Sequence, residues 1–247
     1  MRGGDQTLLG QRRSAWAWLV TGSALVVLAV AATMTVWWAL TRERDVATYR
    51  VLGNLNGIRL DLGNADAEIV GGRDAPVVDV RRTDHFAFGR PATSARSAAG
   101  GTLRIRSRCP NTLFGTCAVR YRLTVPNNVP VTIHTGSGDV ALSGFRGSAH
   151  ITTGAGDIAA DSYCGFVLQA RADSGDISAS ASCAPEQLEL RTRSGAIRAV
   201  VPPGRYRIDA ETSAGTPTVR GLVPADDAPF QIQALSGTGD VDLAAGP

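Results

Sequence analysis

The sequence contains no lysine, so the Lys+Arg total of 25 is arginine throughout. That absence by itself assigns no function. The arrangement says more: no dense basic block with interleaved aromatics occurs, and aromatics make up only 6% of the chain, which excludes a nucleic-acid-binding surface. Neither a phosphate-binding P-loop nor a Gly-x-Ser-x-Gly elbow is present. Histidine is scarce, with only His85, His134 and His150. With four cysteines at unsuitable spacing, that scarcity argues against a zinc site. Charged residues are 19% and the net charge is +3. The 28 glycines are spread along the chain, which fits many short strands with tight turns better than disorder.

Long hydrophobic runs are also scarce, with one exception. Ala15 to Leu40 carries no charge over 26 residues, and a helix of that length rises about 39 Å. Trp16 and Trp18 stand near one end and Trp37 and Trp38 near the other, as suits the two bilayer interfaces. The expectation is a transmembrane helix over 15–40, with 1–14 as a cytoplasmic tail and 41–49 as a stalk. Residues 50–247 would then form an extracytoplasmic domain. Arg2, Arg12 and Arg13 precede the run and Arg42 and Arg44 follow it, a slight bias toward an inside N-terminus. Ala29-Val30-Ala31 leaves signal-peptide cleavage open as an alternative. Either way the rest lies outside the cytoplasm.

What the sequence has in quantity is a repeat. Related segments begin at Val131, Ala149, Leu168, Leu188, Ile208 and Ile232, in steps of 18, 19, 20, 20 and 24 residues. Apolar residues alternate before and after each turn, so each arm is a strand with one buried face. Gly138, Gly156, Gly175, Gly195, Gly215 and Gly239 sit at the bends, where glycine tolerates positive φ. Asp139, Asp157, Asp176 and Asp240 follow four of them; Ala196 and Thr216 take that place in the others. A unit near 19 residues cannot bury its own apolar face, but a stack of them can. The fold expected is all-β, a β-solenoid (β-helix), with a sandwich of antiparallel hairpins as the alternative. In phase, Thr135, Thr153, Ala172, Thr192, Thr212 and Ser236 form one column.

Ile58 to Gly71 reads as a degenerate earlier copy. Val77–Arg81, Leu103–Ser107 and Tyr121–Val125 read as antiparallel hairpin strands, and Gly89 to Gly101 as a flexible loop. The T-x-S-G-D arms, with Val125-Pro126 and Val201-Pro202 leading in, resemble the bacterial β-strand-repeat family catalogued as adhesins and as a domain of unknown function. The resemblance covers about residue 50 to the end. It implies a solenoid ectodomain, often tethered to a membrane, and brings no catalytic residues.

Cys109 and Cys117 flank a short loop, and Cys164 and Cys183 lie one repeat step apart. Equivalent positions on adjacent rungs are about 4.8 Å apart, within disulfide reach, so the expected pairs are Cys109–Cys117 and Cys164–Cys183. For the Asp column, capping of each residue's own turn is weighed against calcium and against a carbohydrate-cleaving carboxylate pair. Arg171, Arg191, Arg193 and Arg198 suggest a basic stripe. The reading is a non-enzymatic envelope scaffold or adhesin-like module without cofactor or metal. Its partners would be the lipid bilayer, an envelope protein, wall polymer or itself. The alternative is a regulatory ectodomain acting through a membrane partner.

Overall fold

The computed structural model describes residues 22–37, 43–72, 77–87, 92–110 and 116–246. The chain divides into two units, Met1–Glu43 and Arg44–Pro247. In the first, residues 22–37 are helical. No helix among the described residues is long and apolar enough to cross a membrane. The expected span of 15–40 extends at both ends outside the described residues, as does the tail of 1–14.

The second unit is built from rungs, each giving one strand to each of two facing sheets. Strands are numbered along the chain. In spatial order the rungs are β6/β7 (Thr102–Arg108, Thr116–Pro126), β2/β3 (Gly57–Leu62, Ala65–Gly72), β8/β9 (Val131–Ser137, Val140–Ser143) and β10/β11 (Ala149–Ala155, Ile158–Tyr163). Next come β12/β13 (Val167–Ser174, Ile177–Ala181), β14/β15 (Gln187–Ser194, Ile197–Val201), β19/β20 (Gln231–Thr238, Val241–Ala245) and β16/β17 (Arg205–Ala214, Pro217–Arg220). Neighbouring rungs pair in parallel. β1 (Glu43–Leu52), β4 (Val77–Ala87) and β5 (Thr93–Ala99) extend the two sheets at the β6/β7 end, and β18 (Val223–Pro224) lies at the other. Among the described residues each sheet has ten strands.

Period-two alternation places one apolar row in front of another. Ile58, Val131, Ala149, Leu168, Leu188 and Ile232 share a level in one sheet. Val140, Ile158, Ile177, Ile197 and Val241 share one in the other. All are buried. This is a parallel stack with a continuous core, not an antiparallel sandwich, and burying both faces of the core is what holds the short arms in register.

Several expectations need correction. The sixth copy lies between the fourth and fifth, because Leu188 pairs with Ile232 and Ile232 with Ile208. The 24-residue step is long enough to bring the chain back by one rung. At this end the stack therefore finishes on β16–β18, with the last rung in sequence, β19/β20, lying one step inside it. Ile58 to Gly71 is a rung as expected, in register with β8/β9. Leu103–Ser107 and Tyr121–Val125 belong to strands of one further rung that pair in parallel with β2 and β3; β4, which holds Val77–Arg81, pairs antiparallel with β7 as expected, and β5 with β6. The stretch read as a flexible loop holds β5, with residues 88–91 outside the described residues. Residues 43–49, read as stalk, belong to β1.

Candidate functional site

The repeated corner is built from three side-by-side ladders. The first is glycine. Gly156, Gly175, Gly195, Gly215 and Gly239 have φ between +131° and +156°. A Cβ on Gly156 would stand 2.3 Å from the carbonyl oxygen of Gly138, and one on Gly175 2.2 Å from that of Gly156. Gly138 departs from the expectation: its φ is not positive, and close approach to the carbonyl of Ala65, 2.2 Å from a Cβ, is what demands glycine there.

The second ladder is aspartate. The backbone N–H of Asp157 donates to Asp139 Oδ1 at 2.9 Å, that of Asp176 to Asp157 Oδ1 at 2.8 Å, and that of Ala196 to Asp176 Oδ1 at 2.8 Å. Thr216 N–H donates to Asp240 Oδ1 at 2.9 Å. The carboxylates thus join each rung to the next; they do not cap their own turns as expected. The two departures now have different meanings. Thr216 is on the last rung, so no later N–H needs its side chain. Ala196 interrupts the ladder below Asp240. Sequence reading missed the first member, Asp66, whose Oδ1 accepts from Asp139 N–H at 3.2 Å. Asn64-Ala65-Asp66 stands where later rungs have Ser-Gly-Asp.

The third ladder is hydroxyl. Thr153 donates to Gly138 O at 3.3 Å, Thr192 to Gly175 O at 3.0 Å, Ser236 to Gly195 O at 2.8 Å and Thr212 to Gly239 O at 2.8 Å. Thr153 is only 1% exposed, so its hydroxyl needs such a partner. Asp157→Ala removes one rung-to-rung bond at an exposed position and should cost about 1 kcal/mol. Asp157→Asn keeps the acceptor and should cost less. Chemical denaturation of the three proteins compares them, and equal losses for Ala and Asn would contradict the hydrogen-bond role.

Both disulfides occur as expected. Cys109–Cys117 closes the corner between β6 and β7, and Cys164–Cys183 staples two rungs with Cα atoms 4.8 Å apart. Tyr163 lies at the same corner, its hydroxyl 2.6 Å from Val167 O and 2.9 Å from Gly147 O. Burial pushes its pKa well above the ordinary phenol value.

The basic stripe is only partly assembled. Arg171 and Arg191 are neighbours across β12 and β14, and with Arg193 they line a shallow groove of about 430 Å³. Arg193 pairs with Asp173 at 3.2 Å and Arg191 with Glu189 at 2.8 Å. Arg198 lies on β15, in the opposite sheet. No group of three or more His, Cys, Asp or Glu placed to hold a metal occurs among the described residues.

Residues 127–243 match the Toastrack DUF4097 family model. The Toastrack match covers the rungs from β8 to β20 and supports the family resemblance drawn from the repeat. No curated protein matches the chain. Among solved structures, a putative cell adhesion protein from Clostridium sporogenes ATCC 15579 aligns with a TM-score of 0.50 at 8% identity, over 83% of this chain and 100% of its own. Putative adhesins from Bacteroides fragilis NCTC 9343 and Parabacteroides distasonis ATCC 8503 align at TM-scores of 0.33 and 0.29, with 12% and 13% identity. They cover 82% and 81% of this chain and 97% of each of their own. The first of these likenesses speaks to the fold alone.

Proposed function

We propose that the chain is a non-enzymatic binding module of the bacterial envelope, anchored by the uncharged run at 15–40 with the β-rod outside the cytoplasm. The observation that carries this reading is the unequal ends of the rod. At one end β1, β4 and β5 cover the core, with Tyr49 and Val51 of β1 packed against it and Arg96 of β5 lying over the Tyr49 ring. The other stops at β16–β18, where Val219 and Val223 are exposed, Ile208 and Ala210 are only half-buried, and no further strand covers the core among the described residues. An unprotected edge of this kind is a docking template. The two disulfides fit an oxidising compartment. The repeated aspartates hold rungs together through Oδ1, a structural use that fits the non-enzymatic reading.

Crosslinking the full-length protein in native membranes, followed by pull-down, tests the reading. Wall polymer or the protein's own dimer in the crosslinked material supports a scaffold or adhesin-like role. One stoichiometric membrane partner supports the regulatory alternative. A soluble, uncrosslinked monomer recovered without membranes would overturn both.

A further inference from the structure

The outer sheet face at the closed end gathers four arginines into one groove of about 310 Å³. Arg44 on β1, Arg81 on β4, and Arg120 and Arg122 on β7 line it, together with Asp66 and Glu68 on β3. Four guanidinium groups against two carboxylates leave an excess of two positive charges. Between β7 and β3 the signs alternate as solubility alone would ask: Arg120 pairs with Asp66 at 3.2 Å and Arg122 with Glu68 at 3.3 Å. β4 breaks the pattern by placing Arg81 directly opposite Arg122. Like charges facing each other across a strand pair are destabilising. Neither Arg44 nor Arg81 has an ion pair among the described residues.

Each paired guanidinium spends one contact on its carboxylate and keeps other N–H donors for the groove. Opposed planar forks across a concavity suit a phosphoryl group, which accepts from several donors at once. The groove also begins close to the proposed anchor in sequence. Arg44 follows Leu40 by four residues, a reach of at most about 14 Å.

We propose that this groove binds the phosphoryl group of anionic phospholipid headgroups, seating the closed end of the rod on the bilayer and leaving the open end for a partner. The phosphoryl chemistry rests on the groove alone; only its membrane source rests on the anchored reading above.

Calorimetric titration of the full-length protein in neutral detergent tests both parts. The probes are inorganic phosphate, short-chain phosphatidylglycerol and short-chain phosphatidylcholine. The expected result is binding of phosphatidylglycerol in preference to the other two. The double variant Arg81→Gln, Arg122→Gln should weaken it roughly 30-fold, at the usual contribution of two arginines near an anionic surface. Glu68→Gln should tighten it by removing a competing carboxylate. Arg50→Gln, which alters an ion pair with Asp79 outside the groove lining, should leave it unchanged. Equal affinity for inorganic phosphate upholds the phosphoryl site and overturns its membrane source. No binding of either anion, equal binding of phosphatidylcholine, or a double variant that binds as well as the parent overturns the site.

Discussion

Gly175→Ala should destabilise the rod by roughly 4 kcal/mol and lower its melting temperature by on the order of 10 °C. Two costs act at the same atom. The φ of +141° is one that side-chain-bearing residues rarely adopt. The added methyl would also stand 2.2 Å from the carbonyl oxygen of Gly156 and 3.1 Å from Asp157 Oδ1. That carbonyl is backbone in the neighbouring rung, so relief requires prising two rungs apart at the corner. Parting them would stretch the bond from Asp176 N–H to Asp157 Oδ1 and the one from Gly156 N–H to the Ser174 carbonyl, 3.0 Å long. Gly144→Ala separates the two costs. Gly144 has φ +59°, and nothing lies within 4 Å of its added Cβ, so backbone strain alone should cost it about 1 kcal/mol. Thermal and urea unfolding by circular dichroism measures both. Equal losses at the two positions would show that the close stacking of the corner is not what excludes a side chain.

Much of this corner was legible because the repeat length fixes which residues share a level. The Thr column, the glycine positions and the Cys164–Cys183 pair all follow from the 19-residue step. Level does not determine neighbour, however. Ile232 matches Ile208 and Leu188 equally well, and only the 24-residue step hints that the chain doubles back. The β6/β7 rung carries no Ser-Gly-Asp at all; a disulfide closes its corner instead, so the motif could not reveal it. β5 is exposed along its whole length. An edge strand without a buried face shows no alternation to read, and its Ala/Ser composition looked like a loop. The arginine groove was invisible for a different reason. It depends on Arg81 meeting Arg122 across an antiparallel pair, and the register of a pair so distant in sequence leaves no local trace.

Removing Asp84 should cost about 3–5 kcal/mol, because it strands a charge inside the closed end. Arg82 and Asp84 lie two residues apart on β4, on the face turned toward the core. Their side chains are 12% and 5% exposed. Arg82 Nε donates to Asp84 Oδ1 at 2.7 Å, a second guanidinium N–H meets Oδ2, and the guanidinium also donates to Ala92 O at 2.6 Å. Its carbon lies 6.0 Å from the centre of the Tyr121 ring. Burial works to lower the guanidinium pKa, but the Asp84 hydrogen bond and the charges of Tyr121, Asp84 and Asp45 outweigh it and raise it. A guanidinium is too basic to lose its proton inside a protein, so Asp84→Ala leaves Arg82 charged and facing apolar neighbours. The double variant Arg82→Leu, Asp84→Leu removes both charges, so it should recover most of the loss. All four tryptophans lie at 16–38, outside the rod, so far-ultraviolet circular dichroism during urea unfolding is the suitable signal. A double variant as unstable as Asp84→Ala would assign the pair a different task. It would mean that the bond from Arg82 to the Ala92 carbonyl, which holds the start of β5 over the end of the core, matters more than the neutralisation of the buried charge.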